Sequence, residues 1–261
     1  MTDNLAFGLD VSRFDNAADG SKLMDFEAVK AHTDPPVSFI AVRSGISWGY
    51  TDAWFARSWS ECKRIGVCRA AYHVFYFGES AQAQADHFMN IVTQDFDPEH
   101  DRLVLDLEVA GSNSKYQCTQ TTKSLLNILK ARTGLYPICY SRTGWVNEHL
   151  EVRDLPVVDW WLAQYRNPWV YPLYTPEYIS PPDPLPRYVD KWLIHQTAER
   201  GKSIGGTGSY YMDYNRWNGD QSAVMKYFGF DDEVPQPPDP PMTLEEQVAD
   251  NTRRIKVLEA K

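Results

Sequence analysis

LVLDLEVA, residues 103–110, sets a run of apolar residues against a pair of acids. Side chains alternate across a strand, so Asp106 and Glu108 leave on the same side, roughly 7 Å apart at their Cα atoms. Val104 shares that side, while Leu103, Leu105 and Leu107 point the other way. Two carboxylates projecting together from the end of an apolar strand repel each other and are expensive to bury. A plain strand end running into solvent would explain them, but a purely structural strand has little use for such a pair.

Outward from this strand, short apolar runs alternate with amphipathic stretches. Strands are predicted at 6–11, 37–43, 67–75, 103–109 and 137–140, with helices at 22–31, 52–65, 80–93, 116–132 and 143–149. This β-then-α alternation predicts a parallel sheet with crossover helices. After residue 150 the pattern changes, and 157–163, 192–196 and 211–214 read as strands without good helices between them. Residues 166–190 are dense in Pro and Tyr, which opposes both helix and central strand and predicts an ordered loop. Five βα units and three plain strands form an incomplete (β/α) barrel, an α/β fold that places its chemistry at the C-terminal ends of its strands.

The barrel is expected to span residues 1–230. An acidic, Pro-rich linker follows at 231–242 and a short helical, coiled-coil-like tail at 243–261. Thr243 and Glu246 form a capping box at the start of that helix. Leu244, Val248, Asn251, Ile255 and Leu258 recur at alternating four- and three-residue steps, which predicts a homo-oligomer, a parallel dimer first, through residues 244–258.

Composition narrows the partners. A net charge of −9 argues against a grip on nucleic acid, which needs clustered Lys and Arg. No apolar run approaches the roughly 20 residues that span a bilayer, so no membrane partner is expected. MTDNLAFGLD lacks the basic start and apolar core of a secretory signal. Cys62, Cys68, Cys118 and Cys139 form no metal-ligand spacing and read as reduced thiols, so neither metal nor other cofactor is expected. The 9 Trp and 15 Tyr offer flat faces that suit sugar rings, although they suit a core equally well.

Two further acids sit in strand-like settings, Asp10 in FGLDVSRFD and Asp213 in YYMDYNRWNGD. Either alone reads as a turn or cap residue. On the first, fourth and last strands of one barrel, however, Asp10, Asp106, Glu108 and Asp213 would converge at one mouth. Paired carboxylates in a cleft are what glycosidic cleavage uses, one protonating the leaving oxygen and another stabilising or attacking the oxocarbenium centre.

The order of motifs GLDVS (8–12), AAYHVF (70–75), VLDLE (104–108), PICYS (137–141), WWLAQY (160–165) and MDYNRWNG (212–219) resembles glycoside hydrolase family 25, the lysozymes of muramidase type found in phages, bacteria and some fungi. The resemblance covers residues 6 to about 220. It implies a flattened (β/α)5β3 TIM-like barrel. It also implies hydrolysis of the β-1,4 bond between N-acetylmuramic acid and N-acetylglucosamine, with peptidoglycan glycan strands as the partner. On it, Glu108 is the general acid/base and Asp106 orients the substrate N-acetamido group, while Asp10 and Asp213 complete the acid ring. Tyr72, Tyr140, Trp161 and Gln164 fall on positions that line the groove. An endolysin made in the host cytoplasm and released to the wall fits the same likeness. Three departures stand out: His195-Gln196 replaces a Trp-Gln pair, RFDNAADGS alters the rim beside Asp10, and the Pro/Tyr loop at 166–190 is long. A chitinase-like barrel would need an acid where Val104 stands, and a non-catalytic glycan-binding or virion structural barrel would have no use for all four acids.

Overall fold

The computed structural model describes residues 5–17, 19–165, 181–204 and 211–230. The linker, the tail and residues 166–180 of the Pro/Tyr loop lie outside these. Five βα units come first in chain order: β1 (Phe7–Val11), α1 (Phe26–Lys30), β2 (Val37–Ile46), β3 (Tyr50–Thr51), α2 (Phe55–Ile65), β4 (Cys68–Tyr76), α3 (Ala81–Val92), β5 (Asp101–Val109), α4 (Lys115–Thr133), β6 (Ile138–Ser141) and α5 (Thr143–His149). Then come β7 (Trp160–Ala163), β8 (Ile194–Lys202), β9 (Tyr211–Trp217) and α6 (Gln221–Tyr227). Local chemistry sets the helix ends. Ser114 and Gln117 close a capping box on α4, and Gly66 and Gly134 stop α2 and α4 in left-handed conformations. Asp25 caps α1 by accepting from the Glu27 and Ala28 N–H groups, which is why that helix starts later than the periodicity predicts.

Eight strands close a barrel in the order β1-β9-β8-β7-β6-β5-β4-β2, with β2 returning to β1. All neighbours are parallel except β9, which runs antiparallel to both β8 and β1. The barrel is therefore complete in its strands, and among the described residues no α-helix lies between α5 and α6. The period-two alternation splits the core into two layers. Leu9, Ile40, Val42, Leu103, Leu105 and Leu107 pack outward against Phe55, Trp59, Leu125 and Leu129 of the helices. Phe39, Val104, Ile138, Trp161, Ile194 and Trp217 fill the barrel interior. Val224, Met225 and Phe228, on and just after α6, join that inner layer beside Ala6, Phe39 and Cys68, so α6 closes the end where the parallel strands begin. The opposite end is left for side chains at the ends of the parallel strands.

Two elements were not expected from sequence, the hairpin strand β3 and the plug α6. Above Val42, β1 has turned away into the Arg13–Asp15 turn, and β3 takes its place beside β2 at Gly45 and Ile46.

Candidate active site

Strand register gathers the acids. Asp10 lies opposite Asp213, Asp106 pairs with Tyr140, and Tyr140 in turn pairs with Trp161. Because β9 is antiparallel, Asp213 reaches the mouth from the beginning of its strand, not from a C-terminal end as the other acids do. A cavity of about 520 Å³ opens there, and Asp10, Asp15, Arg43, Tyr72, Asp106, Glu108, Tyr140, Trp161, Tyr165, Gln196, Glu199 and Asp213 line it.

Asp10 is buried, and two side-chain amides hold its carboxylate. Its Oδ2 accepts from Asn215 Nδ2 at 2.7 Å and from Gln196 Nε2 at 2.9 Å. Burial raises its pKa, and these amides, with a proton from Asp213, pull it back toward the carboxylate. Asp213 is held protonated well above the usual carboxylate range, first by burial and then by the charge of Asp10, to which it donates. Asp106 is also raised well above that range, by burial and by the charges of Glu108 and Asp10. Its Oδ1 is buried with no hydrogen-bond partner among the described residues.

Glu108 differs from the deeper acids. It stands at the rim with 34% of its side chain exposed, and Arg142 Nε lies 3.8 Å from its Oε1. Burial raises its pKa, Arg142 tempers the rise, and the charges of Asp10 and Glu199 add to it. A carboxyl that keeps its proton above the ordinary range yet faces the opening is suited to general acid work. Arg43, which Asp52 fixes at 2.8 Å, brings positive charge to the acid ring, and Arg200 also lines the cavity.

The sequence matches the model of glycosyl hydrolases family 25 over residues 9–206. The chain belongs to that family. It is accordingly a glycoside hydrolase of the lysozyme, or muramidase, type. YegX of Escherichia coli O6:H1 (strain CFT073) is 28% identical over 235 residues, covering 88% of this chain and 75% of YegX. Among solved structures, the lysozyme from Streptomyces coelicolor superposes with a TM-score of 0.68 at 21% identity, over 87% of this chain and 98% of that one. The family 25 lysozyme from Aspergillus fumigatus gives 0.67 at 20%, over 87% and 100%. At such identities the likeness speaks for the fold. Asp213 and Asn215 lie beyond the matched span, and the register alone brings them to the mouth of this family 25 hydrolase.

Seven of the eight residues singled out from sequence line the cavity: Asp10, Asp106, Glu108, Asp213, Tyr72, Tyr140 and Trp161. Gln164 does not. Its amide is spent on the backbone of Asp183, donating from Nε2 at 2.7 Å and accepting at Oε1 at 3.0 Å. The reason is parity, since Trp161 and Ala163 face the interior and the next residue must face away. His195 is likewise turned from the cavity, with Nε2 2.9 Å from the Gln164 carbonyl oxygen. In this family 25 hydrolase the groove glutamine is Gln196. Its Oε1 accepts from Tyr140 at 2.6 Å and Tyr165 at 3.1 Å while its amide donates to Asp10. Asn215 plays a similar part, taking the Trp161 indole N–H at 2.8 Å. Sequence reading also missed Asp15, whose carboxyl burial pushes up to about 7. Its signal was present in the Ser12–Asp15 capping box spacing.

Proposed function

We propose that this hydrolase cleaves the β-1,4 bond between N-acetylmuramic acid and N-acetylglucosamine in peptidoglycan strands. Glu108 protonates the leaving oxygen and later serves as base. The observation that carries this reading is the convergence of Asp10, Asp106, Glu108 and Asp213 on one cavity, with Glu108 a third exposed beside Arg142. The deeper acids divide the remaining work. Asp10, held by Asn215 and Gln196, supplies fixed negative charge for an oxocarbenium-like transition state. The unpartnered Asp106 oxygen is placed to accept from a substrate N-acetamido N–H. Tyr72, Tyr140 and Trp161 present aromatic walls to the sugar rings.

Glu108→Gln tests the assignment, because an amide cannot donate the proton. General acid/base assistance is worth roughly 10²–10⁴ in rate. The folded variant should lose turbidity clearance of a peptidoglycan suspension by that factor, whereas wild type should release strands ending in reducing N-acetylmuramic acid. Near-wild-type clearance by Glu108→Gln removes Glu108 from this role, and a folded wild type that releases no reducing sugar favours a non-catalytic barrel. The motif resemblance extends the reading to an endolysin, made in the cytoplasm and acting on the wall after release. A culture accumulating it should then lyse only once the membrane is opened.

A further inference from the structure

We propose that Trp48, at the tip of the β2–β3 hairpin, is a fixed platform for a saccharide unit of the glycan strand beyond the cavity. The inference rests on the muramidase reading and extends its substrate site. Trp48 is 57% exposed, unusual for so large an apolar surface, and no other ring among the described residues stacks on it. Yet it is not loose. Its indole N–H donates to Glu79 Oε2 at 3.0 Å, which pins one edge of the ring from the segment after β4.

The turn beneath it is bolted to the same strand. Ser47 adopts a left-handed φ of 52°, a conformation that a non-glycine residue keeps only where its surroundings hold it. Here the Ser47 N–H donates to the Val74 carbonyl at 2.8 Å, and His73 Nε2 donates to the Ser47 carbonyl at 2.7 Å. Val74 itself lines the catalytic cavity. The wall of the cavity therefore continues through one backbone hydrogen bond into the turn that carries Trp48. Phe14, 64% exposed and lining the cavity from the turn after β1, lies under Arg43 at 5.2 Å. Arg13 bridges from Phe14 to Tyr50 of the hairpin.

An exposed aromatic ring with one polar edge held and its faces open is suited to the C–H face of a sugar, and the occupant is fixed by continuity. A linear strand seated among the acids must leave the cavity along its rim, and the hairpin is bonded to Val74 of the cavity wall. Stacking of this kind corresponds to about a three- to tenfold gain in binding.

The experiment compares kcat/KM on a peptidoglycan-derived octasaccharide with that on the tetrasaccharide. Trp48→Ala should lower the octasaccharide-to-tetrasaccharide ratio about three- to tenfold. Trp48→Tyr, which keeps a ring, should restore most of it, and Glu79→Ala should give an intermediate fall. Circular dichroism confirms folding of each variant. A ratio unchanged in folded Trp48→Ala overturns the platform while leaving the muramidase reading intact. Equal falls for Ala and Tyr also overturn it, because the hairpin and not the ring would then be responsible. Failure of the wild type to cleave either oligosaccharide removes the muramidase reading and the platform with it.

Discussion

Replacing Gln196 with Leu removes a hub and keeps most of its volume. In the wild type its amide serves Asp10, and its carbonyl takes the hydroxyls of Tyr140 and Tyr165. Tyr165 is only partly buried and borders the cavity, so its hydroxyl can turn to water. Tyr140 is buried and cannot, whereas Asp10 keeps its bonds from Asn215 and Asp213. Leaving one buried polar group unsatisfied costs about 1–3 kcal/mol. For a domain of this size each kcal/mol moves the midpoint by about 2–4 °C, which predicts a fall in Tm of roughly 2–12 °C. Asp10 also loses one of the donors that favour its carboxylate, so its pKa rises further and lysis should weaken even where the variant is fully folded. Thermal unfolding by circular dichroism, with kcat measured well below the transition, reads both effects. A Tm unchanged from wild type would show that Tyr140 does not depend on this side chain, and the account of the network would be wrong.

Arg142→Gln removes the cation that tempers Glu108, so the proton of Glu108 should persist to higher pH and the basic limb of kcat/KM should move upward; a limb that stays put or moves down contradicts the general-acid assignment. Asp15→Asn keeps an acceptor for the Ser12 N–H while removing a titrating group. The folded pKa of Asp15, about 7, lies above the unfolded value, so the folded state binds the extra proton. Wild type therefore loses stability relative to the variant as pH rises from about 4 to about 7. Chemical denaturation across that span should show the difference growing and then levelling, and a constant difference refutes it. For residues 244–258, which lie outside the described residues, we propose self-association. Light scattering should give a dimer for the full chain and a monomer for a chain ending at Phe230, and two monomers at tens of micromolar dismiss the idea.

Much of the barrel was legible because its signals are local. Apolar alternation marks the strands, and acids placed at strand ends single out Asp10, Asp106 and Glu108. The direction of β9 was not legible, since a strand sequence reads alike in parallel and antiparallel pairings. That is why Asp213 was found while its route to the mouth was not. Gln196, Asn215 and Arg43 escaped because their roles exist only across registers between strands far apart in sequence. The Gln164 assignment failed where a family position was followed against strand parity. The hairpin strand β3 is too short for any periodicity to register, and α6 is a helix of seven residues.

The closing seam has a consequence for the order in which the polypeptide is made. Asp10 is held by Asn215, 205 residues further on, and lies opposite Asp213 on the last strand. A growing chain carries Asp106 and Glu108 long before it carries the groups that hold Asp10. A fragment that stops just short of β9 has an open barrel, an Asp10 that lacks Asn215, and three of its four ring acids. Joining the first strand to the last closes a loop of nearly the whole domain, the kind of distant pairing that forms late and slowly. Catalytic competence is thus withheld from incomplete products and arrives in one step, when the final strand slots between the first and the eighth.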